Sequence, residues 1–217
     1  MQWGNYNGTP KRTITILDGI RSAMGKDDKL IYEQGCSWVE RKLIRSVFSQ
    51  CKSENGPGFS ARYWNNTEFK GEPAATAQLS TPFHLCTSGA TVFAPGVNLT
   101  DFSATYNSVL TPLQSGEVVF EIYTYGSGCL RINGEEVKRF RNTHGGRSLD
   151  YTLQVKAGVP YDIELDFEYF RSDAQLNFDI GFKQKVNIDA SVACVKEADV
   201  VVLPVVYLLF WKERRWE

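Results

Sequence analysis

Tyr161-Asp162-Ile163-Glu164-Leu165-Asp166-Phe167-Glu168-Tyr169 alternates at every step between a large apolar residue and an acidic one. A β-strand points successive side chains to opposite faces, so Tyr161, Ile163, Leu165, Phe167 and Tyr169 share one face and the four carboxylates share the other. The stretch predicts a strand buried on one side only. Outward from it, Gly116–Tyr125, Cys129–Ile132, Glu136–Phe140, Leu149–Val155 and Gln175–Phe182 are similar short runs of β-branched and aromatic residues. Asn133-Gly134, between two of these runs, is the strongest hairpin signal, because both residues tolerate a positive φ. Many short strands with turn signals between them predict a mainly β chain built as an antiparallel sandwich or barrel.

The ends have a different texture. Ile14, Leu17, Ile20 and Met24 fall at helical spacing, with Gly25 as a stop signal. Lys29–Gly35 reads as a short strand, and Trp38–Cys51 as a second helix with Val39, Leu43, Ile44, Val47 and Phe48 on one face. After the β region, Ala190, Ala193, Val195 and Ala198 suggest a short helix, and Ala198–Val202 a buried strand. Leu203–Glu217 shows no cap, turn or amphipathic pattern. The expected organisation is a partial α/β segment over 1–55, a sandwich over 56–185, a return of the α/β segment over 186–202 and an atypical tail over 203–217.

Composition narrows the function classes. With 217 residues, 42% hydrophobic and 23% charged, the chain is globular and long enough to bury a sizeable core. Its 24 basic and 25 acidic residues leave a net charge of -1, which argues against nucleic acid or an anionic membrane as a general partner. The N-terminus shows no secretory apolar region, and the longest apolar run, Val200–Trp211, is too short to span a bilayer. The five cysteines form no CxxC pair, which argues against a zinc site and for buried free thiols with one bridge at most. His84 and His144 are the two histidines, too few for a His-rich metal site, and nothing like GxSxG is present to build a nucleophile around either. No cofactor, metal or catalytic residue is therefore expected.

Gly58-Phe59, Ala61, Tyr63-Trp64, Phe69 and Gly71, then Asp101-Phe102-Ser103, Pro112 and Ser115–Phe120, lead to a central Tyr125-Gly126-Ser127-Gly128-Cys129-Leu130-Arg131-Ile132-Asn133-Gly134. With Leu153–Ile163 and Phe178-Asp179-Ile180-Gly181-Phe182, these residues resemble a PA14-type domain, a β-sandwich found in glycosidases, adhesins and toxins. Sugar-binding members of that family that use calcium carry an acidic pair where Thr124-Tyr125 stands here, so the resemblance does not imply calcium-mediated binding.

The flanks resemble the C-terminal α/β domain of glycoside hydrolase family 3, interrupted by the sandwich. Gly4–Pro10, Thr15–Arg21 and Ile31–Cys36 match that domain's opening, and Ala198–Val202 its return. The family continues with Gly-Gly-Ile-Ser-Pro and then Glu-Gly-Glu-Glu. One allowed codon set for Leu203–Trp216, read in a shifted frame, encodes Ala-Gly-Gly-Ile-Ser-Pro-Phe-Leu-Glu-Gly-Glu-Glu-Met, so the tail is expected to be that segment out of frame. The resemblance implies a fragment of an exo-acting β-glycosidase, β-glucosidase first and β-xylosidase next, from a bacterial periplasmic or extracellular parent. It also implies that the nucleophile lies in a catalytic barrel missing from this chain and that the acid/base glutamate belongs to the lost segment. Alone, the chain is expected to be inactive. The competing expectation is a free-standing carbohydrate-binding or adhesin module with no catalytic parent.

Glycoside hydrolysis needs two carboxyl groups flanking the scissile bond. Asp162, Glu164, Asp166 and Glu168 read instead as the solvent face of one strand. Sugar recognition needs aromatic faces for apolar C–H patches and planar polar groups for hydroxyls. Arg139, Phe140, Asn142, His144 and Arg147 in one glycine-containing loop, with Trp64, Tyr123 and Tyr125 as a platform, are the candidate contacts for an oligosaccharide or β-glycoside. The competing reading puts Trp64, Tyr123 and Phe140 in the core and leaves the loop as a solvated turn. Truncated flanks would leave strand edges and apolar faces exposed, so re-packing on the sandwich or self-association is expected.

Overall fold

The computed structural model describes residues 14–32, 42–141, 146–171, 173–185 and 188–203. The chain divides into two compact units, Met1–Gly35 with Asn187–Glu217, and Cys36–Val186.

The second unit is an antiparallel β-sandwich. Its strands are β1 (Lys42–Ser46), β2 (Cys51–Ser53), β3 (Gly56–Pro57), β4 (Phe59–Trp64), β5 (Ala75–Leu79), β6 (Phe83–Cys86), β7 (Phe102–Leu110), β8 (Gly116–Tyr125), β9 (Ser127–Ile132), β10 (Glu135–Phe140), β11 (Arg147–Val155), β12 (Tyr161–Tyr169) and β13 (Gln175–Lys185). One sheet runs β1-β13-β8-β11, with β6 beside the first half of β13. The other runs β10-β9-β12-β7-β2-β3, and β4 pairs with both β7 and β5.

The alternating stretch behaves as its pattern dictates. On β12, Ile163, Leu165, Phe167 and Tyr169 are buried and the acidic positions between them are not. Asn133 (φ 52°) and Gly134 (φ 78°) form the tight turn between β9 and β10 in the left-handed region both residues tolerate. The core between the sheets is aromatic. Phe83 lies between Tyr106 and Phe178, stacked on the first at 4.9 Å and the second at 5.3 Å between ring centroids. Phe93, Phe102 and Phe167 form a second group, with Phe93 stacked on Phe167 at 5.4 Å.

Trp38–Cys51 is not a helix where it is described. Lys42–Ser46 is a strand paired with β13 at Gly181–Lys185, and Phe48–Gln50 is one turn of 3₁₀-helix. The spacing of Ile44, Val47 and Phe48 suits either conformation, and the edge of β13 decides. Gly181 makes the pairing close: a Cβ there would stand 1.9 Å from Ile44 Cγ2. Trp38–Arg41 lie outside the described residues.

In the first unit, α1 (Ile16–Ala23) begins with a capping box. Asp18 N–H donates to Thr15 Oγ1 (3.1 Å), and Thr15 N–H donates to the Asp18 carboxylate (3.0 Å). The second helix, α2, spans Ile188–Lys196. Neither sequence-predicted strand of this unit is formed among the described residues. Lys29–Tyr32 and Ala198–Val202 have no ladder partner, and Val200 is 79% exposed. A run of valines favours a strand only where a neighbouring strand takes up its backbone groups. Ile14, Ile16 and Leu203 are exposed as well. Glu33–Gly35 and the tail from Pro204 onward lie outside the described residues.

Candidate functional site

Strand register gathers one set of side chains on the outer face of the five-stranded sheet. Tyr123 on β8 stands opposite Asn177 on β13 and Ser148 on β11, and Asn177 stands opposite His84 on β6. One step along, Tyr125 stands opposite Gln175. The two tyrosine rings meet at an interplanar angle of 60° with centroids 6.3 Å apart. The chain entering β11 crosses them closely, since a Cβ on Gly146 would lie 2.0 Å from the Tyr123 hydroxyl. Gln175 Nε2 reaches Asn177 Oδ1 at 3.5 Å, and His84 is exposed. Two half-buried phenol rings stand beside two carboxamides and an imidazole, a mixed aromatic and planar polar surface. Asn177, Gln175 and His84 escape a reading of the sequence, because only the pairing of β6, β13 and β8 sets them beside the tyrosines.

The next row on this face is acidic: Glu121 stands opposite Asp179 on one side and Asp150 on the other. Burial first, and then the Asp150 and Asp179 charges, push the Glu121 carboxyl above its usual range. Burial also raises Asp179, against hydrogen bonds from Ser46 Oγ (2.8 Å) and the Ile180 N–H (2.7 Å) and the nearby His84. A carboxyl whose pKa is higher folded than unfolded binds more protons in the folded state, so stability falls as pH rises from the unfolded value through the folded one. Glu121→Gln is therefore expected to raise the melting temperature at pH 7 by roughly 2 °C, and the gain is expected to vanish below the ordinary glutamate range. Melting curves across pH check this, and an equal gain at acid pH would refute it.

The remaining sequence-predicted contacts divide. Trp64 is 8% exposed. It points outward from the eight-stranded sheet, beneath the loop that follows it: its indole N–H donates to Gly71 O at 2.9 Å and its ring meets Phe69. It is therefore corrected to a structural residue. Phe140 is 5% exposed and packs in the sandwich core, which takes it off the contact surface. Arg139 is exposed, and its guanidinium is engaged by Glu136 through Nε (2.8 Å) and Nη2. Arg147 stands opposite the inward-facing Thr124, on the other side of β11 from the two rings. Asn142 and His144 lie outside the described residues. Of the eight candidates, the structure brings Tyr123 and Tyr125 together.

Among the described residues, no three His, Cys, Asp or Glu side chains converge as a metal site. Cys51 and Cys129 are buried thiols, raised by desolvation to about 12 and about 11.

Comparison with known proteins agrees with this architecture. A model of the PA14 domain matches residues 55–186. Over 207 residues the chain is 33% identical to a xylan 1,4-β-xylosidase of Xylanibacter ruminicola, an alignment covering 93% of this chain and 23% of that protein. The chain thus spans about a quarter of that relative's length. The structure of selenomethionine-labelled β-glucosidase from Kluyveromyces marxianus superposes with a TM-score of 0.57 at 16% identity, over 89% of this chain and 25% of that one. β-Glucosidase from the same organism in complex with glucose gives 0.50 at 16% identity, over 71% and 20%. At such identity these two likenesses concern the fold.

Proposed function

The chain belongs to the PA14 domain family, and from that premise we propose that its sandwich is the carbohydrate-contacting module of a longer β-glycosidase, with the Tyr123–Tyr125 face as the contact surface. The observation that carries the reading is the cross-strand row His84–Asn177–Tyr123–Ser148 with Tyr125 and Gln175 beside it. A sugar ring seated there would lay its C–H face on a phenol and its hydroxyls on the carboxamides. The relationship to a xylosidase over most of this chain favours a β-xyloside as the parent substrate over the β-glucoside that motif resemblance ranks first. The flanks fit the α/β domain of glycoside hydrolase family 3, which would supply partners for the exposed Ile14, Ile16 and Val200–Leu203.

Xylotetraose titrated into the chain by isothermal calorimetry tests this reading. Tyr123→Ala is expected to weaken binding roughly tenfold, the loss of one stacking contact. Unchanged affinity in that variant would refute the assignment of this face.

A further inference from the structure

The outer face of the opposite, eight-stranded sheet carries a concavity of about 360 Å³. It is built by register, as the tyrosine face is. Arg131 on β9, Glu164 on β12, Asn107 on β7 and Ser60 on β4 stand side by side in one row across four strands. In the neighbouring row Asp166 stands opposite Thr105 and Thr105 opposite Arg62. Ser53 and Ser60 line it together with the longer side chains Arg62, Arg131, Glu54 and Asp162.

Part of the lining is paired and part is open. Arg131 Nη1 bridges Glu164 and Asp166, at 2.5 Å to each, and Thr105 Oγ1 donates to the other Asp166 oxygen at 2.9 Å. Arg131 is therefore a brace, and the acidic face of β12 is not the plain solvent face its alternation suggests. Arg62, Asn107, Glu54 and Asp162 line the same concavity without a side-chain partner among the described residues. Ser60 Oγ accepts from Asn55 Nδ2 at 2.9 Å and keeps its own proton to give.

We propose that this concavity is a second carbohydrate site, reading the hydroxyls of a neutral saccharide chain and separate from the Tyr123–Tyr125 face. Each sugar hydroxyl both donates and accepts, and this surface supplies the two complements within one small volume. Arg62 and Ser60 donate, Glu54 and Asp162 accept, and Asn107 does both. Carboxylates outnumber guanidiniums on the lining, so an anionic ligand is repelled. No aromatic ring lines the concavity, so recognition rests on hydrogen bonds and affinity is modest. The two surfaces lie on opposite sheets and take separate stretches of saccharide.

The test is nuclear magnetic resonance of the ¹⁵N-labelled chain titrated with xylohexaose, and with acidic galacturonate oligomers as the contrast. The expected result is saturable shifts of the Asn107 side-chain amide and the Gly134 N–H with xylohexaose and none with the acidic oligomers. Arg62 and Asp162 are exposed, so Arg62→Ala and Asp162→Ala should keep the remaining spectrum while weakening these shifts roughly tenfold. Tyr123→Ala should leave them intact. Shifts confined to Tyr123, Tyr125 and Gly146 would overturn the second site and spare the first. Shifts confined to the concavity would do the reverse, and silence at both would overturn both. A response to the acidic oligomers equal to that of xylohexaose, or one unchanged in Arg62→Ala and Asp162→Ala, would also overturn the hydroxyl-reading site.

Discussion

Gly128→Ala is expected to destabilise the sandwich by about 3 kcal/mol or more, the upper part of the range for overpacking a well-filled core. Gly128 on β9 pairs with Phe167 on β12 and with Phe140 on β10, so it is enclosed on both sides. A Cβ there would stand 2.0 Å from the Asp166 carbonyl oxygen and 2.8 Å from Phe140 Cζ. A side chain could rotate away, but the Asp166 carbonyl belongs to the ladder and moves only if β12 moves. For a chain of this size the cost corresponds to a fall in melting temperature of roughly 6–12 °C. Gly134→Ala is the control. That glycine has a positive φ of 78° and nothing within 4 Å of an added Cβ, so its substitution costs about 1 kcal/mol of backbone preference alone. Circular-dichroism melts of the two variants separate packing from conformation. If both lose the same amount, close approach is not what glycine provides at position 128.

That contrast shows what the sequence makes legible. The glycines of Tyr125-Gly126-Ser127-Gly128 are visible as a family signature, but not their reason, which is that β12, distant in sequence, brings Phe167 against Gly126 and the Asp166 carbonyl against Gly128. Alternation at 161–169 and the Asn133-Gly134 turn are local signals, and the structure follows both. Lys42–Ser46 is ambiguous locally, and a non-local edge settles it. Ala198–Val202 has strand composition and no strand beside it among the described residues. The site follows the same logic. Trp64 and Tyr123 are equally aromatic in sequence, but the loop closed by Gly71 covers one of them. The concavity draws on β4, β7, β9 and β12, and no window of sequence contains Arg131 together with Glu164 and Asn107.

Phe83→Ala is expected to cost about 3–5 kcal/mol, the range for removing a buried phenylalanine. Phe83 opens β6, a four-residue strand, yet its ring touches both sheets. It stacks on Tyr106 of the eight-stranded sheet and on Phe178 of the five-stranded one, and meets Phe48 and Phe59 edge-on at 6.2 Å and 6.1 Å. Its removal takes away apolar burial and leaves four rings facing a void that a sheet on each side keeps from collapsing. Phe83→Leu keeps most of the volume and is expected to cost about 1.5 kcal/mol or less. Urea melts of the two variants give the comparison. Equal losses would mean that the ring geometry, rather than the filled volume, holds the sheets together. A loss under about 1 kcal/mol in Phe83→Ala would show that the sheets can close over the gap, and the aromatic stack would then not be the centre of the core.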